Sequence, residues 1–164
     1  MGVCRRRRGS VRKHEVVHDA NPTAPEQLIR AVGLVRFEDR RLLLVRADYQ
    51  AAFYLPGGKI DPGETEVQAL HREVREELGV GLRGADFFGR YVTDAVGQGD
   101  GVQVELSCYT GELDGIPEPA AEIAELAWCT REEYAAHEVT APAIVALFAD
   151  LDGGFNGEQR AGSH

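Results

Sequence analysis

A chain of 164 residues, 43% of them hydrophobic, is long enough to bury the core of one domain and too short to hold two comfortably. No apolar run approaches the roughly 20 residues that span a bilayer as a helix, and the longest, such as Leu42 to Val45, are strand-sized, so a soluble protein is expected. The net charge of −9 repels phosphates unless cations intervene, so a phosphate ester can be the substrate only beside a divalent metal.

The chain opens on a basic run, Arg5 to Arg8, with no apolar stretch behind it, which does not read as a secretory signal. With the turn-rich Asn21-Pro22-Thr23-Ala24-Pro25 it predicts a flexible tail over residues 1–25, a solvated arm rather than a nucleic-acid contact. The folded domain is expected over 26–152. Leu28 to Phe37 and Arg41 to Arg46 are rich in aliphatics and flank the polar turn Glu38-Asp39-Arg40, which predicts two adjacent strands joined as a hairpin. Phe53-Tyr54-Leu55 ends at Pro56-Gly57-Gly58, where a loop to about Gly63 is expected. Between Glu64 and Leu78 the residues Val67, Leu70, Val74 and Leu78 recur at helical spacing and predict a helix buried on that face, with Thr65 capping its start and Gly79 its end.

Phe87 to Ala95 and Val102 to Gly111 read as strands around a Gly-rich turn at 97–101, and Ile123 to Cys129 as another. Thr140-Ala141-Pro142 opens a second helix that runs to about Leu151, and 153–164 reads as a flexible C-terminal tail. Strands interleaved with two helices, without repeats or heptads, indicate an α/β protein. Cys4, Cys108 and Cys129 are odd in number and lack metal-ligand spacing, which argues against a disulfide framework or a zinc site and fits a reducing cytoplasm. His14, His18, His71 and His137 show no ligand pairing and are expected to be structural or exposed.

The chemistry concentrates between Gly58 and Val80. Five glutamates, Glu64, Glu66, Glu73, Glu76 and Glu77, fall within 14 residues. On a helix Glu73, Glu76 and Glu77 are related as i, i+3 and i+4 and project from one face, beside the apolar stripe. Like charges at this spacing cost a few tenths of a kcal/mol per pair, and a hard divalent cation removes that cost. The plainer alternative is a solvated helix whose glutamates pair with Arg72 and Arg75.

The residue pattern decides between them. Gly58, Glu64, Arg72, Glu73, Val74, Glu76, Glu77, Gly79 and Val80 fill every specified position of the Nudix box, and the segment resembles that family's signature. The flanks are similar too, with Leu55-Pro56-Gly57-Gly58 before the box and Ala127-Trp128-Cys129-Thr130 on a late strand, so the resemblance extends loosely from Ile29 to Phe148. It implies an α/β/α sandwich with a mixed, strongly bent sheet, and a magnesium-dependent pyrophosphohydrolase, with manganese as a substitute metal. The resemblance assigns Glu73, Glu76, Glu77 and the Gly57 carbonyl as metal ligands, Arg72 as the group that orients Glu73 or another box carboxylate, and Glu64 as an outer-shell or additional metal carboxylate.

The base that takes a proton from the attacking water is Glu73, or, as in several family members, a glutamate in a late loop. Here Glu122 is the foremost such residue, with Glu118 and Glu125 behind it. Lys59, directly after the paired glycines, stands where a cation can approach a phosphate, and the same position is sometimes Lys in MutT-like members. Arg46 and Arg90 are further phosphate-contact candidates, weighed against ordinary surface ion pairs. Phe53, Tyr54, Phe88, Tyr91 and Trp128 are available to stack on a base, against the commoner role of strand aromatics in the core.

The implied partner is a small nucleoside triphosphate or another nucleoside diphosphate linked to a second moiety, with Lys59 tilting toward the triphosphate. Two readings compete with hydrolysis. A non-catalytic nucleotide or nucleotide-sugar sensor on the same fold often loses box carboxylates, and this chain has lost none. An isopentenyl diphosphate isomerase would need a reactive cysteine, whereas Cys108 and Cys129 lie on predicted strands. Many family members are homodimers; a monomer is the simpler expectation for this chain.

Overall fold

The computed structural model describes residues 15–17 and 27–158, with side chains over 27–153. Eight strands and three helices follow in the order β1 (Glu15–Val17), β2 (Gln27–Val35), β3 (Phe37–Glu38), β4 (Arg41–Ala47), β5 (Gly57–Lys59), α1 (Glu66–Leu78), β6 (Gly81–Asp94), β7 (Val102–Asp114), β8 (Ile123–Cys129), α2 (Arg131–Ala135) and α3 (Pro142–Glu158). A five-stranded sheet of order β1-β6-β7-β2-β5 lies with a three-stranded sheet of order β3-β4-β8. The larger sheet is mixed, because β2 runs parallel to β7 and β1 to β6, while β6 pairs antiparallel with β7 and β5 with β2.

The apolar run of β4 explains the layering. Leu42 and Leu44 belong to a core cluster shared with Ile144, Leu147 and Phe148 of α3, whereas Leu43 and Val45 join Leu70, Val74 and Leu78 of α1. Alternate residues of the strand thus bury against opposite helices, which is why the four positions Leu42 to Val45 are all apolar. The result is the α/β/α sandwich with a mixed sheet.

Several expectations change in detail. The turn Glu38-Asp39-Arg40 does join a hairpin, and Asp39 (φ 50°) and Arg40 (φ 64°) take the left-handed conformation of a tight turn. Only Phe37 and Glu38 pair with β4, however. The chain leaves the first sheet at Arg36, and Gln27–Val35 pairs with β7 and β5 instead. The stretch expected as a loop after Pro56 begins with β5, whose Gly57 sits opposite Gly33. A Cβ on Gly57 would lie 2.0 Å from the Val32 carbonyl oxygen, so this strand approaches β2 only as glycine.

In α1 the predicted caps hold. The Thr65 hydroxyl accepts from Gln68 N–H, and Gly79 closes the helix in the left-handed conformation. Its buried face differs from the prediction: Val67 is exposed, while Ala69, Glu73 and Glu77 are buried with Leu70, Val74 and Leu78. The short helix α2 was not anticipated. Helix α3 begins at Pro142 as predicted and runs to Glu158, past the expected Leu151. Strand β1 falls inside the stretch expected as a tail and pairs parallel with β6. The remaining residues up to 26, with Cys4, His14 and His18, and 159–164 lie outside the described residues, where no helix is long and apolar enough to cross a membrane.

Candidate active site

The box helix carries its carboxylates against the backbone of β5. Glu73 and Glu77 are 9% and 6% exposed, which for charged residues demands partners. Glu77 Oε2 accepts from the Gly57 N–H at 2.9 Å. Glu73 lies so close to Gly58 that a Cβ there would stand 2.6 Å from its Oε1. The glycine pair of the box therefore serves two contacts at once, one to β2 and one to the Glu73 carboxylate.

Arg72 organises this acidic group. Its guanidinium donates to Glu73 Oε1 at 2.8 Å and to both oxygens of Glu64 at 2.9 and 2.8 Å, reaches Glu76 at 3.5 Å, and also donates to the Lys59 carbonyl at 3.2 Å. Glu64 in turn accepts the Asp61 N–H. Hydrogen bonds from Arg72 hold the Glu64 carboxyl below the ordinary range. Both its oxygens are thus partnered, which suits a brace for Arg72.

Glu73 and Glu77 are shifted the other way. Burial is the main cause for each. Arg72 opposes it at Glu73, where the charges of Glu76 and Glu122 reinforce it. Glu77 is pushed up to about 8, with the charges of Glu73, Glu122 and Glu76 adding to burial against the Gly57 N–H. Four carboxylates therefore feel one another, and one of them, Glu122, comes from outside the helix.

The loop that brings Glu122 is tied to the end of α1. Glu118 N–H donates to the Leu78 carbonyl and Ala120 N–H to that of Glu77, at 3.1 and 2.9 Å. These are C-terminal carbonyls that the helix itself cannot satisfy. Ala121 then turns in the left-handed region at φ 52°, and Glu122 follows as an exposed side chain with no hydrogen bond or ion pair among the described residues.

On the far side of the larger sheet from α1 a cleft of about 230 Å³ opens, with Gly57, Gly58 and Lys59 in its wall. Its floor is apolar, from Ile29 and Ala31 of β2 and Val104 and Leu106 of β7, and its other wall is the start of α3 at Ala141 to Ile144. The volume lies below the roughly 300–1,000 Å³ of sites for drug-sized ligands and suits a single ring system.

A family model described as the NUDIX domain matches residues 27–149. The chain belongs to the Nudix family. It is 30% identical over 126 residues to a CTP pyrophosphohydrolase of Escherichia coli, covering 74% of this chain and 89% of that protein. It is 37% identical over 65 residues to an 8-oxo-dGTP diphosphatase of Haemophilus influenzae, covering 37% of this chain and 48% of that relative, about half its length. Among solved structures it resembles a MutT Nudix hydrolase from Burkholderia pseudomallei, with a TM-score of 0.60 and 28% identity over 74% of this chain and 97% of that one. A MutT protein from Methanosarcina mazei, 23% identical over 78% of this chain and 95% of that one, shares the fold at a TM-score of 0.64.

Within this Nudix scaffold the other expected residues separate. Lys59 is exposed at the cleft, and its side chain has no ion pair among the described residues. Arg46 and Arg90 make no hydrogen bond or ion pair to Glu73, Glu76 or Glu77. Arg46 Nη2 contacts both oxygens of Glu125 at 2.9 and 2.8 Å, with its guanidinium over the Phe53 ring. Arg90 donates to Ser107 and to Glu66.

Among the aromatics only Tyr54 lines the cleft. Phe53 and Tyr91 are buried in the core cluster that also takes up part of Phe88, and Trp128 packs on the α1 side. Cys108 and Cys129 are free and buried, and burial raises both thiols, which makes them inert packing residues.

Glu66 has a role that sequence reasoning missed. From the first turn of α1 it accepts hydrogen bonds from Arg30, Arg90, Ser107 and Tyr109 on three strands. Burial disfavours its charge, yet the two hydroxyls and two arginines outweigh that and lower its pKa. It fastens the N-terminal end of the box helix to the sheet. The box pattern leaves this position unspecified, and its partners are distant in sequence, so no spacing could reveal them.

Proposed function

We propose that the protein is a magnesium-dependent pyrophosphohydrolase that cleaves a phosphoanhydride of a nucleoside triphosphate, or of another nucleoside diphosphate derivative, by attack of water on phosphorus. The observation that carries this reading is the burial of Glu73 and Glu77 against Gly57 and Gly58, the glycines that also wall a cleft sized for one ring system, with Glu76 on the same helix and Glu122 in the loop fastened to the helix end. Among the described residues no three His, Cys, Asp or Glu side chains are already drawn together as a coordination shell. The donor set nonetheless fits a hard cation: hard oxygen atoms, with two of the carboxylates, Glu73 and Glu77, buried and raised in affinity for protons and hence for positive charge. Manganese accepts the same ligands.

Glu73, Glu76, Glu77 and the Gly57 carbonyl would hold the ion, with Arg72 and its brace Glu64 keeping Glu73 in place. An ion bound there would supply charge neutralisation on the phosphate oxygens and would acidify the attacking water. Glu122 takes the proton of that water, because its carboxylate has no other partner, whereas Glu73 already accepts from Arg72. Lys59 faces the phosphates, and the cleft receives the base. The names of the relatives, an 8-oxo-dGTP diphosphatase and a CTP pyrophosphohydrolase, support a nucleoside triphosphate. The free thiols of Cys108 and Cys129 support action in a reducing cytoplasm.

The test is a panel of nucleotides incubated with and without magnesium and followed for phosphate, pyrophosphate or monophosphate release. Glu76→Gln changes an exposed carboxylate and is expected to keep its fold by circular dichroism while losing at least about tenfold in rate. Nucleotide binding without release from any member of the panel would replace this reading with the non-catalytic sensor.

A further inference from the structure

The cleft floor contains one polar side chain where the strand pattern calls for an apolar one. Thr93 pairs with Val104, which pairs on its other side with Ile29, so the three form one row across β6, β7 and β2 on the face toward α3. The neighbouring row is Tyr91, Leu106 and Ala31. Thr93 is 1% exposed, and its hydroxyl makes a single contact, 3.5 Å to the adjacent Asp94 carbonyl, at the limit of a hydrogen bond. A buried hydroxyl this poorly satisfied stands on the surface that would meet a bound ring.

Gln50 lines the same cleft. Its amide oxygen accepts the Ala47 N–H at 3.0 Å, and since an N–H can be met only by an acceptor, the orientation of the amide is determined. The amide nitrogen is therefore the free end, and it offers only donors. Tyr54 adds a half-buried hydroxyl in the same wall whose ionisation burial suppresses, so it stays a neutral group that can donate or accept.

Resting on the nucleotide reading above, we propose that Gln50 reads the edge of the base and selects rings bearing an exocyclic carbonyl, as in guanine, 8-oxoguanine, cytosine and uracil, over adenine, which has none. A carbonyl oxygen accepts from the free Gln50 amide nitrogen, and the Thr93 hydroxyl, which can donate or accept, adds a hydrogen bond to either kind of ring. The adenine amino group sets donor against donor at Gln50 and leaves that contact unmade.

Inosine triphosphate and adenosine triphosphate differ at ring position 6 in carbonyl against amino, with the corresponding change at N1, and so isolate the effect. The wild-type protein is expected to favour the inosine nucleotide by at least about tenfold in kcat/KM. Gln50→Glu keeps an oxygen for Ala47 and turns the free donor into an acceptor, so the ratio should fall below one. Thr93→Val keeps shape and β-branching, and should lower kcat/KM for both nucleotides while leaving their ratio unchanged. Equal turnover of the two nucleotides by the wild-type protein, or a ratio unmoved by Gln50→Glu, overturns the inference and leaves the hydrolase reading intact. Absence of turnover on every nucleotide removes that reading instead.

Discussion

At the residue scale the decisive feature is that two glutamates of the box are buried without any cation of their own beyond Arg72. Glu77 shows what this does to the metal-free protein. Its pKa rises from the ordinary 4.5 to about 8, mainly through burial, so the folded state holds a proton that the unfolded chain releases. The resulting contribution to stability is complete below the unfolded value and is lost as pH rises through the folded one. Chelator-treated protein should therefore melt at progressively lower temperature between about pH 5 and pH 8. Magnesium favours the ionised carboxylate, so the rise in melting temperature on adding it should be larger at the upper end of that range. A magnesium effect of equal size at both ends would show that no proton on Glu77 competes with the metal, which overturns its raised pKa or its place as a ligand.

At the scale of elements, the catalytic assignment turns on how the 118–122 loop is held. Its two bonds to the end of α1 are made by backbone N–H groups, so substituting Glu122 leaves the loop fastened. Glu122→Gln should lower kcat by about a hundredfold with KM little changed, as loss of a general base does. An undiminished kcat in that variant would transfer the role to Glu73. The elements also show which features the sequence carries openly. Helix α1, its caps and the complete box depend on contacts within a few residues, such as Thr65 with Gln68, and were legible. So was the start of α3 at Pro142. The partners of Glu66 and the place of Thr93 in an apolar row depend on strand register between distant segments, and the fastening of the Glu122 loop to the end of α1 on two backbone bonds between residues far apart in the chain, none of which a local pattern encodes. Helix α2 is a different case. Thr130 and Glu133 form a capping box with the same spacing as a recognised helix start, and the signal was present in Thr130-Arg131-Glu132-Glu133. The hairpin forms but is shorter than the sequence suggests, because a polar turn between two apolar runs does not say how much of each run pairs across it; the chain changes sheets one residue before β3.

At the scale of the whole molecule, charge sets the terms on which a nucleotide arrives. Residues 27–164 carry 12 basic and 24 acidic side chains, so the part that contains the site is more acidic than the net −9 of the chain. Many of those arginines are already spent on internal pairs, including Arg30, Arg36, Arg46, Arg72 and Arg90. Lys59 stands nearly alone as a cation on the cleft wall. A polyanionic substrate therefore approaches against the field of the protein, and the metal supplies the attraction locally. Salt screens the long-range repulsion over about 10 Å at 0.1 M but acts much less on contacts made inside the site. With magnesium held saturating, kcat/KM should rise severalfold as potassium chloride is increased from about 0.02 to 0.15 M, the reverse of a protein that steers nucleotides with a basic surface. A fall over the same range would mean that Lys59 and the bound metal dominate the field met by the incoming nucleotide, and that the acidic surface beyond them has no part in capture.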